Sequence, residues 1–143
     1  MMKPYALTPL LLRQLLSVPM VRQDWEQAAG PDLRVRIAND PPILERDAAI
    51  DGIAAFLARV EAVGSGFWAA WRLEEAVFAE CDLGFRAGAG LTQTIPCTVV
   101  ARLADAELID LRVHCDPTPL PAPCGIDYKT PLPPPAEESR DEG

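Results

Sequence analysis

The sequence lacks the features that mark several common classes of protein. Its 143 residues contain no apolar run of roughly 18 residues, which is the length that a membrane-spanning helix needs. It has one histidine and four cysteines, none of them in a Cys-x-x-Cys pair, and this argues against a structural zinc site. It also has no glycine-rich phosphate loop and no nucleotide-binding fingerprint, so we predict no metal and no cofactor.

Positive charge is also scarce. Thirteen Lys and Arg residues stand against 21 Asp and Glu residues, which leaves a net charge of −8. Such a balance disfavours binding to nucleic acid or to an anionic membrane surface. The apolar stretch near the N-terminus is interrupted by Arg13 and Gln14, which is atypical of a secretory signal. We therefore expect a cytoplasmic protein with reduced cysteines and with no nucleic-acid or membrane partner.

The hydrophobic content of 49% is enough to build one core, and the prolines indicate where it ends. Eight of the 15 prolines fall within residues 117–143, a segment that also carries more acidic than basic residues. Alternating proline favours extended chain, and the final residues are typical of a disordered tail. We predict one domain over residues 1–118 and an extended or disordered acidic tail over residues 119–143.

Hydrophobic periodicity predicts helices first and long strands later. Residues 8–17 and 20–29 are predicted as helices on either side of Pro19, and residues 47–63 as a third helix that ends at Gly64. A strand begins at Leu33, one long strand is expected over residues 67–86, and residues 93–103 and 107–116 should form a hairpin. This order predicts an α+β fold, with a curved antiparallel sheet and about three N-terminal helices on one of its faces.

Period-two alternation then assigns side chains to the two faces of the predicted sheet. In the long strand the odd-numbered residues, including Trp71, Glu75 and Val77, are expected to face the core. In the last strand the inward set is Ile109, Leu111, Val113 and Cys115. The outward set of that strand is Asp110, Arg112, His114 and Asp116.

Three stretches of the chain resemble the nuclear transport factor 2-like (cystatin-like cone) superfamily, in its SnoaL-like branch. Residues 33–53 are similar to the family's strand, proline-containing turn and helix, with Glu45-Arg46-Asp47-Ala48 in place of a Gly-Arg-Asp-Ala signature. Residues 71–86 resemble the family's long first sheet strand. Residues 109–116 resemble its closing strand, with His114 in the place of a tyrosine.

The resemblance implies a cone-shaped sheet that wraps around the helices and leaves an apolar pocket. The family includes ketosteroid isomerases, polyketide cyclases and non-catalytic binding domains, and many members are homodimers through the outer sheet face. The resemblance therefore implies a small, mostly apolar ligand, but it does not decide between an enzyme and a binding domain. The residues expected to line the pocket are Trp71, Val77, Val99, Leu111, Val113 and Cys115.

Two carboxylates are candidates for acid/base catalysis on a carbonyl compound. Glu75 lies among apolar residues of the long strand, and burial there would raise its pKa. Two alternatives remain: a bulge could turn Glu74 inward instead, or Glu75 could pair with an arginine such as Arg46 or Arg59. Asp40 precedes a proline in a turn, as the base of ketosteroid isomerase relatives does, but it is more simply a turn residue.

The remaining polar groups favour association over chemistry. Arg112 and His114 are expected on the outer face, where they could belong to a homodimer interface. Cys97 and Cys115 are expected to face each other across the hairpin, and without a cationic neighbour on the inward face they are best interpreted as apolar filler. The alternative to a ligand-binding enzyme is thus a non-catalytic ligand-binding or homodimeric interaction domain.

Overall fold

The computed structural model describes residues 7–88 and 90–122. In these residues three helices combine with one five-stranded sheet, which confirms the predicted α+β fold. The elements are α1 Pro9–Leu15, α2 Arg22–Ala28, β1 Ala29–Ile37, α3 Arg46–Leu57, β2 Ala62–Leu73, β3 Ala76–Ala87, β4 Leu91–Ala104 and β5 Glu107–His114. Most of the predicted tail, from residue 123 onward, lies outside the described residues, whereas Leu120 is buried against the core.

The helices α1 and α3 begin at polar residues that satisfy free backbone N–H groups, whereas α2 follows Val21 and has no side-chain cap. The Thr8 hydroxyl accepts a hydrogen bond from the Leu11 N–H at 3.1 Å, and Pro9 occupies the first helical position as predicted. The Glu45 carboxylate caps α3 by accepting from the Ala48 N–H at 2.9 Å. The α3 helix ends at Leu57, earlier than predicted, because the chain joins the sheet as β2 from Ala62 onward.

The strand order in the sheet is β1-β5-β4-β3-β2. The pairs β2–β3, β3–β4 and β4–β5 are antiparallel, whereas β1 runs parallel to β5. The sheet is therefore mixed, and the expectation of a wholly antiparallel sheet is wrong for its first strand.

The long strand predicted over residues 67–86 is a hairpin made of β2 and β3. Glu74 and Glu75 form its turn, with a left-handed backbone at Glu74 (φ +54°), and Leu73 pairs with Ala76. Across a two-residue turn, an odd-numbered residue of one strand pairs with an even-numbered residue of the other. The odd-numbered residues of the two strands next to the turn therefore point to opposite faces of the sheet. Odd-numbered residues face inward in β3, as predicted, but outward in β2 between Trp68 and Leu73. A register shift between Val63 and Trp68 limits the inversion to this part of the strand.

The helices pack on the inner face of the sheet and close the core. Helix α3 lies against β1, and α1 contacts β2 and β3. Trp25 is fully buried and donates its indole N–H to the Leu15 carbonyl at 2.9 Å, which joins α2 to the end of α1. None of the described helices is long and apolar enough to cross a membrane.

Candidate functional site

Four of the predicted pocket residues face inward as expected, but they belong to the packed core. Val77, Val99, Leu111 and Val113 are between 0% and 2% exposed. Such burial shows that neighbouring side chains pack closely around them. Their part in ligand binding stays a prediction.

The two other predicted pocket residues differ from each other. Trp71 was expected to face inward, and this placement is wrong: it lies on the outer face opposite Phe78, and 46% of it is exposed. The parity inversion at the β2–β3 turn is the cause. Cys115 is half-buried beyond the end of β5 and packs against the core.

Glu75 is exposed in the β2–β3 turn, so its predicted position on the buried face is wrong. Its backbone carbonyl accepts a hydrogen bond from the Leu103 N–H at 2.8 Å. Neither arginine considered for it is its partner, because Arg46 contacts Asp47 and Arg59 donates to the carbonyl of residue 121. An exposed turn surrounds a carboxylate with water, so the apolar environment on which the acid/base role depends is absent around Glu75.

Asp40 is a turn residue, as its simpler interpretation held. It is exposed after the end of β1, and its N–H donates to the Ile37 carbonyl at 3.0 Å. Its own carbonyl accepts from the Arg36 Nε at 3.1 Å. These bonds close the turn. Asp40 takes part in them through its backbone N–H and carbonyl and not through its carboxylate.

The structure does not bring Glu75 and Asp40 together. Glu75 lies beside Leu103, which pairs with Leu108 near the start of β5. The turn that holds Asp40 follows β1, whose last residue pairs with Val113 near the end of β5. Five residues of strand, or about 16 Å, separate these two points. One small substrate therefore does not reach both carboxylates.

The side of the sheet opposite the helices, here called the outer face, carries two distinct sets of residues. We call the side chains over β1, β5 and β4 the arginine half and those over β3 and β2 the aromatic half. One row of directly paired residues across the five strands reads Arg36, Arg112, Val100, Phe78 and Trp71. The next row reads Arg34, Asp110, Arg102, Ala76 and Leu73.

Asp110 is the centre of the arginine half. It is a buried carboxylate, 4% exposed, and three guanidinium groups surround it. The Nε atoms of Arg34 and Arg112 lie 3.2 and 3.1 Å from its oxygens, and the Nη1 of Arg102 lies at 3.5 Å. Charge-assisted bonds of this kind stabilise a buried carboxylate. Because one negative charge meets three positive charges, the cluster keeps a surplus of two.

A bulge in β5 brings Asp110 to this position. Arg102 pairs with Asp110 and Leu103 with Leu108, so that Ile109 is the extra residue between them. The bulge also decides which of two neighbouring residues is buried. Leu108 is buried, whereas the prediction placed Ile109 inside. The bulge leaves Asp110 on the outer face, where the expectation for this residue is confirmed.

An open cavity of about 220 Å³ adjoins the arginine half. Its lining includes Arg36, Asn39, Arg112 and His114, and the predicted outward position of Arg112 and His114 is confirmed. The guanidinium of Arg36 is bonded to a backbone carbonyl, and it has no carboxylate partner among the described residues. This end of the outer face is therefore suited to contact with an acidic group.

The aromatic half is apolar and exposed. The rings of Trp71 and Phe78 stack with centroids 6.0 Å apart and an interplanar angle of 15°. Leu73, on the same face, is 62% exposed. Glu80 and Asp82 follow Phe78 at alternate positions of β3 and thus share this face. Exposed large apolar side chains beside charged groups are typical of an interaction surface.

Sequence reasoning placed Arg112 and His114 correctly but missed the Asp110 cluster and the aromatic half. Both depend on pairing between strands that are far apart in the chain. One signal was available, since β1 carries arginines at two alternating positions and β4 and β5 carry one each, in a protein of net charge −8. In the part of the chain that the structure describes, no group of three or more His, Cys, Asp or Glu residues is placed to hold a metal ion.

Comparison with known proteins identifies the fold. A proposed SnoaL-like polyketide cyclase from Jannaschia sp. CCS1 superposes with a TM-score of 0.60 at 14% identity, over 80% of this chain and 89% of that chain. A ketosteroid isomerase-like protein from Catenulispora acidiphila, solved with trimethylamine, gives 0.59 at 16% identity, over 76% and 86%. A proposed polyketide cyclase from Xanthomonas campestris gives 0.59 at 11% identity, over 76% and 87%.

These similarities confirm the resemblance at the level of the fold. The chain has the α+β fold of SnoaL-like and nuclear transport factor 2-like proteins. No model of a protein family matches the sequence, and no curated protein matches it significantly. At identities below 25% the shared fold carries no substrate or activity over to this chain.

Proposed function

We propose that this chain is an interaction domain that pairs with a second copy of itself through its outer face. The observation that supports this most directly is the exposure of the stacked Trp71–Phe78 pair next to the Asp110 cluster. None of the described helices covers that side of the sheet, because all of them pack on the inner side.

The charges of the outer face favour a second copy as the partner. The arginine half has a surplus of positive charge, whereas the aromatic half carries Glu80 and Asp82. In a two-fold dimer both copies use the same surface, and a contact from residue i of one copy to residue j of the other is repeated from j to i. With the axis near β4, the arginine half of each copy would lie against the aromatic and acidic half of the other. Arginine and aromatic rings are also favourable neighbours at interfaces.

A small apolar ligand inside the cone has weaker support. The inner residues predicted to touch it are at most 2% exposed, apart from the half-buried Cys115. The two candidate catalytic carboxylates lie at opposite ends of the sheet and both are exposed. The geometry thus favours association over acid/base catalysis by these two carboxylates.

Sedimentation velocity of two matched variants tests the proposal. Leu73→Ser changes an exposed leucine of the outer face, and Leu10→Ser changes one on α1 that is equally exposed (62% against 67%). We expect the wild type and Leu10→Ser to sediment as dimers, and Leu73→Ser to shift toward the monomer. If both variants dimerise as the wild type does, or if the wild type is a monomer, the proposed function is wrong.

A further inference from the structure

Three cysteines form a continuous row on the inner face of the sheet. Cys81 of β3 pairs directly with Cys97 of β4, and on the other side of Cys81 lies Trp68 of β2. The β4–β5 ladder ends with the pair Thr98 and His114, so that Cys115 continues it opposite Cys97. The row therefore runs from a half-buried thiol to two buried ones.

The spacing of the row suits a disulfide bond. Directly opposite residues of an antiparallel pair have Cα atoms about 4.5–5.5 Å apart, which falls within the range that disulfides span. The Cys97 thiol lies close enough to the thiols on both sides, Cys81 and Cys115, for each of them to change its pKa. Cys97 is thus the central thiol of the row, with one thiol on each side of it.

Cys115 differs from the two other thiols in exposure, since it is half-buried whereas Cys81 and Cys97 are buried. Cys97 lowers the pKa of both Cys81 and Cys115, and each of these thiols has an arginine near it, Arg13 and Arg59 respectively. The hydrogen bond from Cys97 lowers the pKa of the Cys115 thiol, the positive charge of Arg59 acts in the same direction, and burial and Asp116 oppose them. Arg59 is held in place because its Nε donates to the carbonyl of Pro121 at 2.8 Å. Cys115 therefore has a cationic neighbour, contrary to the expectation from the inward face of the strands. This neighbour, Arg59, lies just after the end of α3.

Cys97 is the natural second thiol of a pair. Its pKa is raised by the neighbouring thiols of Cys115 and Cys81, and burial adds to this. It therefore stays protonated in contact with the more reactive Cys115. A low-pKa thiol that reaches the surface next to a second cysteine is the arrangement in which a thiol oxidised by peroxide is trapped as a disulfide.

We propose that Cys115 and Cys97 form a redox-active pair that reduces a small hydroperoxide and is itself converted to a disulfide. The Cys115 thiolate attacks one peroxide oxygen, so that an S–O bond forms, the O–O bond breaks, and the leaving oxygen takes a proton and departs as alcohol or water. Cys115 is then a sulfenic acid, oxidised by two electrons. The Cys97 sulfur next attacks Cys115, the S–S bond forms, and the hydroxyl group leaves as water with the Cys97 proton. This activity is independent of the proposed dimer, because it lies on the other face of the sheet.

Mass spectrometry of the full chain tests this pair. The chain carries Cys124→Ser, because Cys124 lies outside the described residues and could form disulfides of its own. After equimolar hydrogen peroxide at neutral pH, free thiols are alkylated and the peptides are mapped. We expect loss of two thiols per chain and a peptide cross-linked between Cys97 and Cys115. A cross-link between Cys81 and Cys97 with Cys115 still free, or no disulfide at all, would overturn the proposal.

Three variants separate the roles of the thiols. Cys115→Ser should consume peroxide at least about tenfold more slowly. Cys97→Ala should keep the first step and accumulate a sulfenic acid at Cys115, which dimedone traps. Cys81→Ser is the matched control and should still form the Cys97–Cys115 disulfide. Peroxide consumption in Cys115→Ser at the rate of the parent chain would contradict the proposal. The peptide map of the parent chain, which carries only Cys124→Ser, decides the question even where a further variant fails to fold.

Discussion

The inner face of the sheet is packed with apolar side chains, whereas the outer face of the same five strands carries arginines at one side and aromatic rings at the other. On the inner face Val77 and Leu111 are 0% exposed. On the outer face Trp71 is 46% exposed, and the buried group is a carboxylate, Asp110, which depends on three arginines. Both faces share one set of backbone hydrogen bonds, so the alternation of side chains alone produces the difference.

This contrast indicates which face stabilises the fold and which face is available for binding. Removal of apolar area from water stabilises the folded chain, and the inner face supplies most of it. The outer face has an exposed apolar patch and a surplus of positive charge, which a folded monomer does not need. Substitutions on the two faces should therefore differ in size and in kind.

The largest expected effect is a cavity on the inner face. Leu111→Ala should lower the free energy of unfolding by about 2–5 kcal/mol, because a fully buried leucine is removed and its surroundings collapse only in part. Leu10→Ala, at an exposed leucine of α1, should change it by less than about 0.5 kcal/mol. Urea unfolding at one fixed protein concentration measures both. Equal effects would mean that the inner face is less well packed than the structure indicates.

The next effect concerns the buried charge of the outer face. Asp110→Asn should lower the free energy of unfolding by about 2 kcal/mol, since three guanidinium groups lose their common counter-charge. Asp32→Asn makes the same chemical change at an exposed position of β1 and serves as the control. Chemical unfolding of the two variants under identical conditions gives the comparison. If Asp110→Asn has the same free energy of unfolding as the wild type, the arginines do not depend on the charge of Asp110.

The smallest effect is expected at the predicted catalytic residue. Glu75→Gln should change the free energy of unfolding by less than about 0.5 kcal/mol, because the side chain is exposed in a turn. It should also leave the dimer unchanged, since Glu75 belongs to neither half of the outer face. A loss above about 1 kcal/mol, or a shift toward the monomer, would assign Glu75 a contact that the structure does not contain.

Features that depend on neighbouring residues could be predicted from the sequence. The cap at Thr8, the inward set of β3 and the outward position of Arg112 and His114 all follow from local patterns. The β4–β5 hairpin is also confirmed, with Asp105 and Ala106 in its turn. Each of these depends on residues that are two to four positions apart, and the sequence displays such neighbours directly.

The misplaced residues share a different cause. The turn at Glu74 and Glu75 contains neither glycine nor proline and lies between two stretches with strand-like composition, so nothing local marks it. It inverted the assignment of Trp71 and moved Glu75 from the core to the surface. The Asp110 cluster was missed because Arg34, Arg102 and Asp110 meet only when β1, β4 and β5 are paired. Strand register is a property of the whole sheet, and no short segment contains it.

The mass of the unmodified chain in solution tests most directly whether the outer face pairs two copies. Sedimentation equilibrium over a range of micromolar concentrations gives this mass without assumptions about shape. We predict a dimer of 31 kDa, twice the 15.5 kDa of the chain. Its association should weaken as added salt screens the charges of the arginine half. A mass of 15.5 kDa at every concentration would contradict the account.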